Sequence, residues 1–390
     1  MKKNLFKLGM IAALSVAVVG IVSCGNKTEE STEISSVVAE QFVDHTVIPT
    51  YTNLASQAQL LVEKLQALKT SKTDANVEAA CEVFLEARAW WEKSEAFLFG
   101  AASDFGIDPH IDSWPLDVDA LTRLMNSPEM INALDSEDGD EVAGGELGDA
   151  LLGFHGIEYI LFRNGKARKA DEITANEMIY AVAVAGDLRN RCFQLEVSWA
   201  GDNAPEAHAA LMEELELNVT VGGGDLSYGE NMKMAGRAGS IYASRVAALM
   251  AIVDGCKSIA DEVGTQKIGR PHSGTTQEDR DYIESPYSQK SIIDFYNNIV
   301  SIYNSYMGGI EGERNDSKSL HNFVKEHDAD LDARVLKTIN DALELLDVNN
   351  GKLPVPFVDN FSNSAYDAAV DACTAIDDIL SEVNNMLRGL

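Results

Sequence analysis

Cysteine is scarce in this sequence, and its spacing matches none of the common metal or redox motifs. The chain has five cysteines in 390 residues, and no two of them form a C-x-x-C pair. Zinc knuckles, thioredoxin-like redox sites and covalent haem attachment need closely spaced cysteines, so the sequence argues against them. We expect the four cysteines beyond the N-terminal region to be mostly buried small side chains, although an oxidising compartment would allow any of three pairings. These are Cys81, Cys192, Cys256 and Cys373.

Several well-known catalytic signatures are absent as well. No H-E-x-x-H occurs, and the inverse motif H-x-x-E-H fails because Tyr159 occupies its last position. Neither a P-loop nor a G-x-G-x-x-G follows a strand, and no G-x-S-x-G surrounds a serine. The acidic segment 104–117 does not have the spacing of a calcium loop. Nucleotide binding, serine hydrolysis and the simplest zinc-protease motif are therefore not supported.

Basic residues are only half as frequent as acidic ones. Lysine and arginine number 31 against 62 aspartates and glutamates, which gives a formal net charge of −31. A surface this negative repels nucleic acid and anionic lipid headgroups, and it attracts cations and basic partners. We therefore expect no nucleic-acid partner. With 45% hydrophobic residues, the chain still has enough apolar material for sizeable cores.

The N-terminus has the pattern of a bacterial lipoprotein signal. A basic start is followed by an apolar stretch that is shorter than the ~20 residues of a membrane span and ends in Ile21-Val22-Ser23-Cys24, which resembles a lipobox. We predict that residues 1–23 are a signal peptide, that a lipid on Cys24 attaches the chain to the membrane, and that 24–36 is a disordered tether. The predicted location is the cell envelope, with Gly25 favouring the outer membrane, at its periplasmic or surface face.

Apolar residues recur at helical spacing through most of the chain from residue 37 onward. No run of β-branched residues with period two stands out, so the predicted fold class is all-α. The glycine run 222–224 is the strongest break, and we predict two packed helical-bundle domains, 37–220 and 221–390. Segments 101–115 and 136–141 are predicted as loops. The predicted helices cover 37–68, 75–99, 118–125, 128–133, 147–163, 171–199, 205–217, 232–261, 291–307, 319–326, 329–346 and 362–387.

One histidine and one glutamate stand together in an apolar part of the sequence. His155 and Glu158 lie three residues apart in the run 151–162 (LLGFHGIEYILF), which places them on one face of a helix. Such a pair is often only a local contact between neighbouring turns. Here the apolar surroundings would exclude water, so both groups need a polar partner or a metal. Gly153 and Gly156 bracket the histidine and indicate close approach of a ligand or another helix, since glycine weakens a helix by ~1 kcal/mol relative to alanine.

A second candidate is a charged stripe on the helix predicted at 75–99. Arg88, Glu92 and Glu95 stand at i, i+4 and i+7, so they share one narrow face. The usual interpretation of such a stripe is a surface ion pair beside a solvated glutamate. Against it, the tryptophans and phenylalanines of this segment leave little of the helix free to face water. A buried stripe that holds two carboxylates needs a cation.

Two further segments contribute candidates. In the aspartate-rich segment 104–117, Asp108 and Asp117 are predicted as helix caps, whereas Asp112 is less easily explained by capping. Farther along the chain, Ser288 is predicted as a helix N-cap and is kept as a candidate ligand contact.

Four separated segments carry a more specific signal: RAWWEKSEAFLFG (88–100), DPHIDSWPLD (108–117), GFHGIE (153–158), and ESPYS followed by DFYNN (284–298). Together with the lipobox they resemble the imelysin-like family of bacterial envelope proteins over most of the mature chain. Gly153, His155 and Glu158 match that family's GxHxxE signature. The resemblance implies an all-helical protein of two bundle-like domains with a site at their interface. It also implies a link to iron, because relatives include iron-regulated proteins and accessory lipoproteins of iron uptake.

The same family is filed among metallopeptidases, after an insulin-cleaving member. This sequence lacks the third zinc ligand that would make a peptidase interpretation easy. An enzymatic role is therefore left open.

Three hypotheses follow for one site. In the first, the chain is an envelope protein that binds a divalent metal, iron favoured over zinc, or a cationic ligand, and works with envelope components of iron uptake. In the second, it is a metallopeptidase in which His155 and Glu158 bind zinc and a bound water attacks an amide. In the third, a buried polar network only fixes how the two bundles pack. The predicted metal ligands are His155, Glu158, Glu92 and Glu95, and the predicted ligand contacts are Arg88, Glu92, Glu95, Asp112 and Ser288.

Overall fold

The computed structural model describes residues 37–390, and within this range the chain is predominantly helical. The predicted signal peptide, the lipidated Cys24 and the tether lie outside the described residues. Strand in the described range is confined to one short hairpin. None of the helices between residues 37 and 390 combines the length and the hydrophobicity that a bilayer span requires. The predicted all-α class is confirmed.

The helices fall into two consecutive series. Those of the first half are α1 (Ile48–Thr70), α2 (Asp74–Glu92), α3 (Ala101–Asp104), α4 (Ile107–Asp112), α5 (Val118–Met125), α6 (Pro128–Leu134), α7 (Gly139–Glu146), α8 (Gly153–Leu161), α9 (Ala175–Ala200) and α10 (Glu206–Glu214). Those of the second half are α11 (Tyr228–Lys233), α12 (Arg245–Glu262), α13 (Gly269–Ser273), α14 (Gln277–Asp281), α15 (Ser291–Met307), α16 (Leu320–His327), α17 (Ala329–Leu346), α18 (Phe357–Asn360) and α19 (Ala365–Arg388).

The longest helices build the apolar core. In the first half α1 packs against both α2 and α9, and in the second half α19 packs against both α12 and α17. Their inward faces carry aliphatic residues at helical spacing, which bury apolar surface against the neighbouring helix. The main apolar cluster includes residues from Val38 to Leu387, so both halves contribute to it. The glycine run 222–224 lies at a 3₁₀ turn, Val221–Gly223, and the division into two domains there stays a prediction.

Some predicted helix boundaries are wrong, and the reason is local. The helix predicted at 75–99 ends at Glu92 and is followed by a 3₁₀ turn, Glu95–Phe97. The helix predicted at 232–261 is split into α11 and α12, because Gly236 and Gly239 adopt positive φ angles of 78° and 100°. The helix predicted at 147–163 is shortened to α8.

The two predicted loops also contain helices. Segment 101–115 includes α3 and α4, and segment 136–141 includes the start of α7. Helices of four and six residues are too short to show a 3.6-residue period, so the pattern could not reveal α3 and α4. Long periodic segments were more predictable, since the predictions at 118–125, 291–307 and 329–346 match α5, α15 and α17.

The predicted caps give a mixed result. Asp117 caps α5 by accepting a hydrogen bond from a backbone N–H at 2.8 Å, as predicted. Asp108 caps nothing, because it lies inside the first turn of α4. Ser288 is not the N-cap of α15, since Lys290 occupies that position. The four cysteines of the described chain are buried and unpaired, as expected.

The hairpin is a feature that the periodicity analysis missed. Its strands, β1 (Phe162–Arg163) and β2 (Lys166–Ala167), pair antiparallel. The connecting Asn164 and Gly165 have φ angles of 51° and 75°, as a type I′ turn requires, and the Asn-Gly pair is a strong sequence signal for it. The N–H of Gly165 donates to the carbonyl of Tyr287 at 2.9 Å. The hairpin therefore holds the segment that leads into α15.

Gly153 allows α8 to lie directly against α4. Its φ is +66°, and a Cβ atom at this position would overlap the backbone carbonyl of Ile111. Because Ile111 precedes Asp112 and Gly153 is two residues before His155, this backbone contact brings the two side chains together.

We predict that Gly153→Ala lowers the free energy of unfolding by about 2–5 kcal/mol, because it adds left-handed strain and overlap in a packed interface. Urea denaturation measures the effect. Gly145→Ala is the matched control, since open space surrounds Gly145 within α7 and alanine there stabilises the helix by up to about 1 kcal/mol. Equal stabilities for the two variants would contradict the proposed role of Gly153.

Candidate functional site

The charged stripe at the end of α2 is buried. Arg88, Glu92 and Glu95 are only 2%, 0% and 4% exposed. Glu95 follows the end of the helix, in the 3₁₀ turn, yet it stays on the same inward side. The interpretation of these residues as a surface ion pair beside a solvated glutamate is therefore wrong.

Arg88 contacts carboxylates from several elements. Its Nη2 lies 2.5 Å from Oε1 of Glu92 and 2.6 Å from Oε1 of Glu284. Its Nη1 pairs with Oδ1 of Asp112, at the end of α4, and its Nε lies 3.7 Å from Oδ2 of Asp294, in α15. One guanidinium thus joins both halves of the chain.

Lys267 is a second buried cation that the sequence analysis did not single out. It lies in a π-helical turn, Val263–Ile268, with its side chain fully buried. Its Nζ is 3.1 Å from Oε1 of Glu284, 3.4 Å from Oε1 of Glu95 and 3.5 Å from Oε2 of Glu92. The carboxylates of the stripe therefore have cationic partners within the protein.

His155 and Glu158 contact each other, and Glu158 is also held by the backbone before α15. His155 Nδ1 lies 3.3 Å from Oε2 of Glu158, while Oε1 of Glu158 accepts from the backbone N–H groups of Tyr287 and Ser288 at 3.1 and 2.7 Å. These bonds fix the orientation of the carboxylate, which in turn orients the imidazole. The predicted contact residue Ser288 thus reaches Glu158 through its backbone.

The other ring nitrogen of His155 faces Asp112. Nε2 lies 3.1 Å from Oδ1 of Asp112, but the two groups are not aligned for a hydrogen bond. Oδ2 of Asp112 accepts from the indole N–H of Trp91 at 2.7 Å. Asp112, which capping did not explain, is therefore a central member of the site.

Glu284, Asp294 and Asn298 complete the centre. The side-chain amide of Asn298 donates to Oε2 of Glu92 at 2.6 Å, and the hydroxyl of Ser285 donates to Oδ2 of Asp294 at 2.5 Å. These residues belong to the segment 284–298, but sequence reasoning gave them no role. The available signal was the spacing of Asp294 and Asn298, which puts two polar side chains on the face that α15 buries.

Negative charge exceeds positive charge in this centre. Six buried carboxylates meet two permanent cations, which leaves a formal charge of −4 when His155 is neutral. Uncompensated charge is costly in a protein interior, so protons or further cations must balance it. The carboxylates are Glu92, Glu95, Asp112, Glu158, Glu284 and Asp294, and the cations are Arg88 and Lys267.

Protonation balances part of this charge. Burial raises the pKa of Glu95 and of Asp294 well above the usual range, and the neighbouring cations offset this only in part. For Asp112 burial acts in the same direction, but Arg88 and His155 together hold its pKa below the usual range. For His155 burial would lower the pKa, whereas Asp112 and Glu158 raise it to about 9. If Glu95 and Asp294 each carry a proton and His155 is protonated, as its raised pKa favours at neutral pH, a charge of −1 remains. Loss of the imidazole proton would change this charge to −2.

The arrangement offers two overlapping sets of metal-binding groups. Asp112, His155 and Glu284 form one set, and Glu92, Glu95 and Asp112 form the other, with potential ligand atoms within 4.8 Å of one another in each. Of the twelve buried side-chain atoms in the described chain that have no hydrogen-bond partner, two are potential metal ligands of the first set, His155 Nε2 and Glu284 Oε2. A third, Glu92 Oε1 of the second set, forms an ion pair with Arg88 Nη2 at 2.5 Å. Buried polar atoms without partners are rare, and imidazole nitrogen with carboxylate oxygen suits iron or zinc. These groups fit a divalent metal.

The predicted metal ligands are only partly brought together. His155 belongs to the first of these sets, and Glu92 and Glu95 belong to the second. Glu158 belongs to neither, and its assignment as a direct ligand stays a prediction.

A cleft leads from the surface towards this centre. Its volume is about 610 Å³, and it lies between α12 and the segment that includes α3 and α4. Glu95 forms part of its lining together with Asp108, Asp254 and Glu262. The cleft is therefore acidic where it meets the buried site.

Fold and site together define an all-helical protein with a buried, carboxylate-rich centre built around one histidine. The chain belongs to the imelysin family, also called peptidase M75, whose model matches residues 47–383. Iron-regulated protein A of Synechococcus elongatus is 30% identical over 275 residues, which is 70% of this chain. The match spans 65% of that relative's length.

Two solved structures share the fold. A protein from Parabacteroides distasonis, described as an iron-regulated protein A precursor, has a TM-score of 0.75 and 25% identity, over 91% of this chain and 95% of that one. An imelysin-like protein from Psychrobacter arcticum has a TM-score of 0.61 and 14% identity, over 92% of this chain and 95% of that one. The second likeness concerns the fold alone.

We predict that Lys267→Met destabilises the protein by about 3–5 kcal/mol at neutral pH, because removing one partner leaves buried carboxylates uncompensated. The double variant Lys267→Met/Glu284→Gln should recover part of this loss, since it also removes a carboxylate. Urea unfolding of Lys267→Met, of Glu284→Gln and of the double variant gives the coupling energy between the two residues.

The control for this prediction is Lys337→Met. Lys337 pairs with Asp341 on the surface and is 74% exposed, so its replacement should change stability by less than about 0.5 kcal/mol. The assignment of Lys267 as a structural cation would be overturned if Lys267→Met and Lys337→Met were equally stable.

Proposed function

We propose that this chain binds a divalent metal ion at the His155 centre, with iron favoured over zinc. The observation that carries the proposal is the pair of unpartnered buried atoms, His155 Nε2 and Glu284 Oε2, in a centre whose carboxylates outnumber its cations. A divalent ion bound by these two atoms would displace the imidazole proton, and it would then balance the charge of −2 that remains. His155, Asp112 and Glu284 would hold it, and Glu158 would fix the imidazole from the far side.

Iron is favoured by the sequence similarity to a named relative and by the type of ligand atoms. A relative at 30% identity is named iron-regulated protein A, which supports an iron-related role for this chain. Carboxylate oxygen and imidazole nitrogen are ordinary ligands of ferrous iron, and a strongly acidic surface concentrates cations around the protein. The lipobox at Cys24 supports a lipid-anchored position in the cell envelope, where components of iron uptake are the natural partners.

Metal binding is tested on the full chain, purified without chelator and without metal-affinity steps. Isothermal titration with ferrous iron under argon, and separately with zinc, should give one tight site per chain. We expect His155→Ala to weaken that site at least about 100-fold, because it removes a ligand. His321→Ala is the control, since His321 pairs with Asp332 at 2.6 Å outside this centre.

Unchanged affinity in His155→Ala would contradict the proposal. If His155→Ala had a lower melting temperature than the wild type, and the wild type bound no metal, a purely structural network would be favoured instead. That network has support of its own, because Arg88 joins both halves of the chain.

A metallopeptidase is the second candidate. The observation in its favour is the cleft of about 610 Å³ that reaches Glu95, since a peptidase needs access for an extended substrate. Incubation with an unfolded polypeptide, with and without chelator, separates the two functions. Chelator-sensitive cleavage that Glu158→Gln abolishes would favour the peptidase, and intact substrate beside a metal-loaded protein would favour binding alone.

A further inference from the structure

The ammonium group of Lys267 lies among potential metal ligands. The second metal-binding set consists of Glu92, Glu95 and Asp112. Nζ of Lys267 is 3.5 Å from Oε2 of Glu92 and 3.4 Å from Oε1 of Glu95, and its side chain is fully buried. Within the described chain, Lys267 is the only cationic partner of Glu95. A cation supplied by the protein itself therefore contacts two of the three members of this set.

Lys267 also contacts one member of the first set. Its Nζ is 3.1 Å from Oε1 of Glu284, which forms that set together with Asp112 and His155. The other carboxylate oxygen of Glu284, Oε2, is buried and has no hydrogen-bond partner in the described chain. The ammonium thus binds one oxygen of Glu284 and leaves the other available to an ion at His155.

An unusual backbone conformation places Lys267 in the centre. The residue lies in the π-helical turn Val263–Ile268, between α12 and α13. Turns of this kind are rare and occur frequently at functional sites. Gly269 allows the turn to form, because a Cβ atom there would overlap the carbonyl oxygen of Gly264. A regular helix would not give this lysine the same position.

We infer that Lys267 takes the place of a second metal ion and restricts the centre to one. This inference rests on the proposed metal binding and specifies its stoichiometry. Helical proteins that bind a pair of iron ions hold both with glutamates and histidines from facing helices, and the two sets here offer the same kinds of ligand. A divalent ion in the second set is repelled by the buried ammonium, because the protein interior screens charge weakly.

The inference is tested by counting the metal ions that each chain binds. Wild type and Lys267→Met are dialysed to equilibrium against ferrous iron under argon, and iron and protein are then measured. We expect one ion per chain in the wild type and two in Lys267→Met, because this change removes the repulsion and leaves Glu95 without its cation. X-ray absorption of the two-ion form should show iron–iron scattering at roughly 3.5–4 Å, the usual separation in two-metal sites.

Two controls are matched to this variant. Lys337→Met makes the same substitution at a position that is 74% exposed, and it should bind one ion. Lys267→Met/Glu95→Gln removes a ligand of the second set together with the ammonium, and it should return the count from two ions to one.

Folding of each variant is followed by circular dichroism with and without ferrous iron, since Lys267 is also a structural cation. A second metal ion replaces the lost positive charge, so iron should raise the melting temperature of Lys267→Met by more than that of the wild type. Lys267→Gln is a second neutral variant, whose amide can still donate a hydrogen bond to the carboxylates, and it should also bind two ions.

The outcomes separate this inference from the proposed function. Two ions in a neutral Lys267 variant, with one ion in the wild type and in both controls, support the inference. One ion in every variant, two ions in the wild type, or neutral variants that iron does not restore to the folded state overturn it and leave metal binding by the wild type intact. A wild type that binds no iron contradicts the proposed function, and the inference fails with it.

Discussion

The guanidinium of Arg88 is the interaction on which the rest of this structure depends. It lies in contact with Glu92 of its own helix, with Asp112 from α4 and with Glu284 from the segment before α15. Because these carboxylates come from separate elements, one cation fixes the positions of those elements relative to one another. The surrounding apolar residues exclude water, which strengthens each pair and makes any missing partner costly.

Arg88 alone cannot neutralise the carboxylates that surround it, and other groups compensate part of the remaining negative charge. Lys267 supplies a second permanent cation, and burial favours the protonated forms of Glu95 and Asp294. Negative charge still remains, and His155 Nε2 and Glu284 Oε2 are buried without a hydrogen-bond partner. An ionic network that served packing alone would be expected to satisfy its own members. The residual imbalance is therefore the physical basis for assigning a cation-binding role to this centre.

Most of the residues in the site could be predicted from the sequence, whereas the short helices and turns around the site could not. Arg88, Glu92, Glu95, Asp112 and His155 were predictable, because each is a polar residue among aromatic or aliphatic neighbours. Lys267 was not, since a lone lysine without periodic context looks like any surface lysine until its π-helical turn is known. Glu284 was hidden for a similar reason, because its role depends on a loop that pairs with distant residues. Long helices such as α15 and α17 were predictable from their period, whereas α3 and α4 are shorter than two turns.

The most direct test of the central claim is X-ray absorption at the iron edge on the full chain loaded with one equivalent of ferrous iron. The account predicts a coordination shell of nitrogen and oxygen at about 2.0–2.2 Å that includes one imidazole, and loss of the imidazole signal in His155→Ala. A spectrum of hydrated iron without imidazole, or an imidazole signal that survives in His155→Ala, would contradict it.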